Sequence, residues 1–253
     1  MELNYKLLGK GKSVVILHGL FGMLDNWITF GKSLSENYAV FLIDQRNHGN
    51  SPHSENHSYT LMAEDVYQFC LKHQLHQITL IGHSMGGKTA MKFALMYPEL
   101  VETLIVIDIG VKQYSGGHET IFRALRQMDL DAIHSRSEAE SFLSEAITEV
   151  GVRQFLLKNL TRNTSGKYHW KFNLQALFEH YNETLAPITS THTFDGKTLF
   201  IRGGNSGYIQ DKDWDDITTL FPLAQLHTIA NAGHWVHADQ PQLLLDLVRN
   251  KIA

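Results

Sequence analysis

Short runs of branched and aromatic apolar residues recur along the chain, and between them apolar positions fall at helical spacing. The runs 14–17 (VVIL), 39–43 (AVFLI), 78–81 (ITLI), 103–107 (TLIVI) and 198–201 (TLFI) lack the apolar–polar alternation of a sheet with one wet face. Runs this short and this apolar predict strands buried on both faces. A sixth, weaker strand is predicted at 225–229 (QLHTI). Segments 60–74 and 85–97 carry the i, i+3, i+4 pattern of helices, with Thr60 placed to cap the first and Pro98 to end the second. Segment 240–252 is a further amphipathic helix. Strands and helices alternating in this way predict an α/β fold, a mostly parallel sheet with helices on both faces.

The alternation breaks once. Between about 111 and 195 no strand is apparent, and 118–128, 137–148, 152–160 and 172–182 read as helices. An all-helical insertion between two sheet strands is expected to form a cap rather than a separate domain. The expected division is a core of 1–111 and 196–253 with a helical cap over 112–195.

Composition narrows the picture modestly. A chain of 253 residues is long enough for one well-buried core of this class. The net charge of −4 leaves no basic footprint, so nucleic acid is not an expected partner. The single cysteine, Cys70, rules out an intrachain disulfide and gives no sign of an oxidising compartment. The N-terminus lacks the layout of a signal peptide, and no segment approaches the roughly 20 apolar residues of a membrane span. A soluble cytoplasmic protein is the expectation.

The sharpest chemical signal is ITLIGHSMGG at 78–87, where Gly82-x-Ser84-x-Gly86 stands between a predicted strand and a predicted helix. So tight a turn leaves no room for side chains at the flanking positions. It lifts the serine hydroxyl clear of the backbone at a helix N-terminus, where negative charge is favoured. Ser84 is therefore the candidate nucleophile, and the N–H of Met85 a candidate oxyanion donor. In HGLFG (18–22), a second Gly-rich turn past the first strand, the N–H of Leu20 is the other candidate donor, and His18 is expected to hold the loop. A serine hydroxyl needs a base near neutral pH. His234 follows a glycine in AGHWVH (232–237), between the last strand and the last helix, and the order serine, acid, histidine suits this architecture. His237 is the rival, expected to pack instead. In DQRNHGNS (44–51), Asp44 and Arg46 are expected to brace the neighbouring His-Gly turn. His73 and His76 share a helix face without a third ligand, so no metal site is expected, and Cys70 reads as a small core side chain.

Taken together, HGLFG, DQRNHGNS, GHSMGG and AGH resemble the α/β-hydrolase family, in the family's order and across the whole core. With VIDIG (106–110) and RGGNSGY (202–208), the set is similar to the small bacterial esterases of the YbfF type and their abhydrolase-domain relatives. The resemblance implies the α/β-hydrolase fold with a helical cap. It implies hydrolysis of small-molecule acyl esters or thioesters by a Ser-His-Asp triad, without a cofactor. Relatives with this fold also cleave C–C bonds or act as perhydrolases, and a ligand-binding protein on a degenerate core is the reading from another class. Enzymes with an aspartate nucleophile are set aside by Ser84.

In most such relatives the acid follows the strand matching 198–201, at the position held here by Ser206. A neutral hydroxyl cannot compensate an imidazolium. Asp108, at the end of the strand after the nucleophile helix, is the favoured acid. Neighbouring parallel strands lie about 4.8 Å apart, so their ends can reach one histidine. A carboxylate directly after four apolar residues also needs a partner. Ser206 is expected to hydrogen-bond near it. Asp211 is the runner-up, expected with Lys212 and Asp213 to open a surface helix. Candidate pocket residues are Phe122, Tyr168, Trp170 and Phe172 from the cap, with Phe21, Ser206 and Trp235 from the core. Arg123 and Arg126 are candidates to meet an anionic group. The plainer reading is that these aromatics join cap to core and these arginines are solvated.

Overall fold

All six predicted strands join one sheet in the computed structural model, which describes residues 1–253. Nine strands form: β1 (Tyr5–Leu8), β2 (Lys12–Leu17), β3 (Tyr38–Ile43), β4 (Ile78–His83), β5 (Val101–Ile107), β6 (Leu160–Arg162), β7 (Tyr168–Trp170), β8 (Lys197–Gly203) and β9 (Ala224–Ile229). Seven make the central sheet in the order β1-β3-β2-β4-β5-β8-β9, parallel except where β1 pairs antiparallel with β3. The edge strand β1 (YKLL) escapes the sequence pattern because it has no buried run: Tyr5 and Leu7 stay 40% and 49% exposed.

The unbroken apolar runs are explained by cores on both faces of the sheet. Val15, Leu17, Phe41, Leu80, Leu104, Val106 and Phe200 enter one core, against helices including α2 (Tyr59–Lys72) and α3 (Met85–Met96). Their strand neighbours Val14, Ile16, Val40, Leu42, Ile81, Ile105 and Ile201 enter the other, against α1 (Ile28–Leu34) and α11 (Pro241–Ile252). Each such side chain contributes about 1.5–3 kcal/mol of transfer free energy when fully buried. The helix α2 starts one residue before Thr60, and its cap is Ser58, whose hydroxyl accepts the Leu61 N–H. Pro98 does end α3, opening a short 3-10 turn.

The insertion leaves after β5 and returns at β8. It holds α4 (Glu119–Gln127), α5 (Arg136–Ser144), α6 (Val150–Leu157), α7 (Leu174–Glu179) and α8 (Tyr181–Leu185). It is not all-helical: β6 and β7 form a hairpin within it, and the expected helix at 172–182 breaks at His180. Strands of three residues are too short to display a period. Their signal lay in the turn, where Asn163 Oδ1 accepts the N–H groups of Ser165 and Lys167 and Gly166 takes φ +82°. The remaining helices are α9 (Trp214–Leu220) and α10 (Val236–Asp239). No helix is long and apolar enough to cross a membrane.

Candidate active site

Every predicted chemical residue of the core lies just beyond the C-terminal end of a sheet strand: His18 after β2, Asp44 after β3, Ser84 after β4, Asp108 after β5, Ser206 after β8 and His234 after β9. Open α/β sheets present their ligand crevices at this edge.

Ser84 sits in a sharp turn between β4 and α3 with φ 54° and ψ −121°, a conformation costly for a side-chain-bearing residue. Its neighbours cannot carry Cβ atoms. One at Gly82 would lie 2.2 Å from the Gly86 carbonyl oxygen, and one at Gly86 would lie 2.4 Å from that of Leu17. Because the second clash is with the backbone of β2, Gly86→Ala is expected to cost about 3 kcal/mol or more. A fall in Tm of about 6–12 °C by thermal denaturation corresponds to that cost. An unchanged Tm would show that the turn can relax.

Asp108 is fully buried, has φ 53°, and is held by its own backbone N–H to Ile201 O at 2.7 Å. Its Oδ1 accepts the Gly203 N–H at 3.0 Å, and its Oδ2 accepts the Ser206 hydroxyl at 2.5 Å and His234 Nδ1 at 2.8 Å. With Nδ1 donating to this carboxylate, His234 presents an unprotonated Nε2, which lies 2.9 Å from Ser84 Oγ. The three side chains thus form one chain of hydrogen bonds, poised to take a proton from the serine. Asp211 lies elsewhere, exposed and paired with Arg202 at 2.6 Å. The His234 ring is stacked by Tyr208, with centroids 3.8 Å apart, and His83 Nε2 donates to the His234 carbonyl at 2.8 Å.

The N–H of Leu20 meets no acceptor within the chain, and that of Met85, the first residue of α3, has no helical carbonyl to meet. Both residues border Ser84. Gly19 brings the Leu20 loop in: a Cβ there would lie 3.2 Å from Ser84 Cβ. Histidines set the shape of this loop. His18 Nδ1 donates to Gly19 O at 2.8 Å while its Nε2 accepts the Gln45 N–H at 3.0 Å. His48 Nδ1 donates to Arg46 O at 2.9 Å while its Nε2 accepts the Phe21 N–H at 3.2 Å. The His-Gly turn is therefore braced by Gln45 and His48. Asp44 instead accepts the Leu24 and Asn50 N–H groups, and Arg46 pairs with Asp65 at 2.6 Å.

Burial lowers the pKa of His48 and His83 well below the ordinary imidazole value, and that of His57 to about 3. An unfolded chain protonates these groups near pH 6.5, so on acidification it takes up protons that the native state refuses. Stability must then fall as the pH drops below about 7. The expected loss is roughly 1.4 kcal/mol per pH unit for each imidazole held neutral. Thermal melts at pH 7, 6 and 5 check it, and a flat Tm contradicts it.

Ser84 opens onto a pocket of about 390 Å³. Of the candidates for its walls, Phe21 and Trp235 line it. The others do not. Phe122 and Phe172 pack against Phe21 with centroids 5.1 and 5.2 Å away, and Trp170 stacks on Phe172 at 5.2 Å, so these three join the insertion to the core. Tyr168 lies under the Arg162 guanidinium at a surface depression, Arg126 covers Phe178, and Arg123 is exposed. Ser206 turns its hydroxyl to Asp108. His237 stacks on Trp27 at 4.4 Å and also borders the pocket. The insertion's wall comes from His118, Ile121, Val152, Phe155 and Leu156, and Tyr208 closes the far side. Val152, Phe155 and Leu156 share an i, i+3, i+4 face that was legible; His118, at the N-cap of α4, and Tyr208, in the loop after β8, carried no sequence signal of their own.

A mostly parallel seven-stranded sheet with a serine turn, an acid and a histidine at its strand ends defines an α/β-hydrolase architecture. A family model described as alpha/beta hydrolase fold matches residues 12–241, and the chain belongs to this family. It is 39% identical to an sn-1-specific diacylglycerol lipase of Mus musculus over all of this chain and 86% of that protein. It is 35% identical to Esterase YbfF of Escherichia coli strain K12, over 93% of this chain and 91% of that protein. The solved structure of a marine microorganism esterase superposes with a TM-score of 0.97 at 41% identity, over 98% of each chain.

Proposed function

We propose that this protein is a serine carboxylic ester hydrolase that cleaves acyl esters or thioesters through an acyl-enzyme. The observation that carries the reading is the continuous hydrogen-bonded chain Ser84–His234–Asp108 at the floor of a pocket. Esterase and lipase names among its relatives support it.

His234 Nε2 takes the Ser84 proton as Oγ attacks the acyl carbonyl carbon. Asp108 stabilises the imidazolium that forms, and the Ser206 hydroxyl keeps that carboxylate in place. The Leu20 and Met85 N–H groups hold the oxyanion, aided by the positive end of α3. Collapse of the intermediate breaks the bond to the leaving oxygen or sulfur, which receives the proton from His234. A water molecule, deprotonated by His234, then attacks the acyl-enzyme, and the acid leaves as Ser84 regains its proton. Residues 112–195 act as the cap that shapes the pocket. The same reading places the protein in the cytoplasm, where a buried free thiol such as Cys70 is at home.

A fluorophosphonate probe tests the reading directly. It should label the native protein once, at Ser84, and block hydrolysis of p-nitrophenyl esters and acyl-CoA thioesters in step with labelling. A protein that neither labels nor turns over any ester is not this enzyme.

A further inference from the structure

Ser84 stands between two cavities of very different size. The larger, about 390 Å³, has His234, Trp235 and His237 in its wall. The smaller, about 30 Å³, is walled by Leu20, Tyr59, Met85, Ile109, Tyr114 and Leu185 among others, and His234 takes no part in it. The reaction assigns a substrate part to each. The leaving atom must receive its proton from His234 Nε2, so its substituent lies on the histidine side, in the larger cavity. The oxyanion faces Leu20 and Met85. The direction left for the acyl chain is the smaller cavity, which alone is bordered by Met85, while Leu20 borders both. At about 30 Å³ against about 390 Å³, the smaller cavity has less than a tenth of the room of the larger, which suits a short acyl group and not a long one.

The walls of the small cavity are fastened. Tyr59 donates its hydroxyl to Thr184 O at 2.6 Å, and the Tyr114 N–H bonds to Leu185 O at 3.0 Å. Lys88, on the nucleophile helix, is completely buried. Its Nζ donates to Lys112 O at 2.8 Å and to Ala186 O, and lies 4.8 Å from the centre of the Tyr114 ring. Lys112 and Ala186 stand at the two roots of the insertion, so one side chain from the core ties both. Burial lowers the Lys88 pKa to about 7, but a neutral amine still has two N–H groups for the two carbonyls, so the tie survives in either form.

We infer that the protein selects esters of a small acyl group, acetyl or propionyl, on a large apolar alcohol or thiol, and that Lys88 enforces this by clasping the roots of the insertion over the acyl cavity. The inference rests on the ester-hydrolase reading and adds which side of the ester goes where.

Two substrate series test it on the full-length protein. Along p-nitrophenyl acetate, butyrate and octanoate, kcat/KM should fall at least tenfold at the first step and further at the second. Along ethyl, butyl and hexyl acetate it should rise, by about fourfold for each methylene that becomes fully buried. Leu185→Ala, which lengthens the small cavity, should shift the preference from acetate toward butyrate. Lys88→Met keeps the length of the side chain but not its donors, and should flatten the acetate-to-butyrate ratio while fluorophosphonate labelling persists. Faster turnover of octanoate than acetate by the native protein overturns the acyl assignment. An unchanged ratio in a folded Lys88→Met protein overturns the clasp. Absence of turnover throughout both series, with no labelling, instead sinks the ester-hydrolase reading beneath it.

Discussion

Ser84→Ala is expected to lower kcat for ester hydrolysis by roughly 10⁵- to 10⁶-fold, the scale seen when a nucleophile acting as one unit with its base is removed. The chemistry gives the reason. Without Oγ, no acyl-enzyme can form, and His234 has no proton to accept from the protein. The remaining groups, the two N–H donors and the pocket, still favour a tetrahedral intermediate formed by water, so a small residual rate over water survives. The fold should not suffer. The Ser84 side chain makes its hydrogen bond to His234 alone, and alanine meets the same φ of 54° with the same steric cost as serine. Circular dichroism and Tm should therefore match the native protein while steady-state turnover disappears. Substantial turnover by a folded Ser84→Ala protein would mean that the chemistry runs through another group.

The second large effect separates two aspartates. Asp108→Asn should reduce kcat by about 10⁴-fold, as loss of the carboxylate in such a triad does. An amide that keeps its oxygen toward the Gly203 N–H turns its NH₂ toward His234 Nδ1. The imidazole must then accept at Nδ1 and carry its proton on Nε2, which disables it as a base for Ser84. The loss of charge also removes the partner of the imidazolium, and the carboxylate of Asp239 in the pocket wall is turned to the Gly233 N–H instead. Asp211→Asn should stay within tenfold of native. That carboxylate is 89% exposed and paired with Arg202, where the ion pair is worth about 0–1 kcal/mol. Steady-state kinetics on one p-nitrophenyl ester compares both variants. A large loss from Asp211→Asn with little from Asp108→Asn would reverse the assignment.

Legibility in the sequence followed locality. Runs such as VVIL and TLIVI announced strands because a sheet covered on both faces needs apolar side chains at every position, and that demand is met within four or five residues. Gly82 and Gly86 marked the serine turn because their missing Cβ atoms are a local requirement of the backbone. Asp108 stood out for a similar reason, as a charge ending an apolar strand, and the fold brings it to His234 because β5, β8 and β9 run side by side. The edge strand β1 and the β6–β7 hairpin did not announce themselves. One is half exposed and the other has only three residues per strand.

The pocket was the least legible part. Phe122, Trp170 and Phe172 were candidate walls because they are large and aromatic, but those properties serve equally to weld the insertion to Phe21. His118 and Tyr208 face Ser84 because of where whole segments dock, which no local pattern records. Lys88 is the extreme case: a lysine directly after a glycine pair reads as an ordinary helix cation, and only the return of the chain at Ala186 buries it.

By itself, the sequence determined the alternation of strands and helices, the turn that exposes Ser84 and the short set of groups able to act with it, because periodicity, glycine sterics and charge placement operate over a few residues. Which donors and rings meet across the site, which cavity lies on the histidine side and how large each one is were decided only by the tertiary structure. Those properties depend on segments up to 150 positions apart, such as Ser84 and His234, and on packing that sums many weak contacts rather than on any residue's own preference.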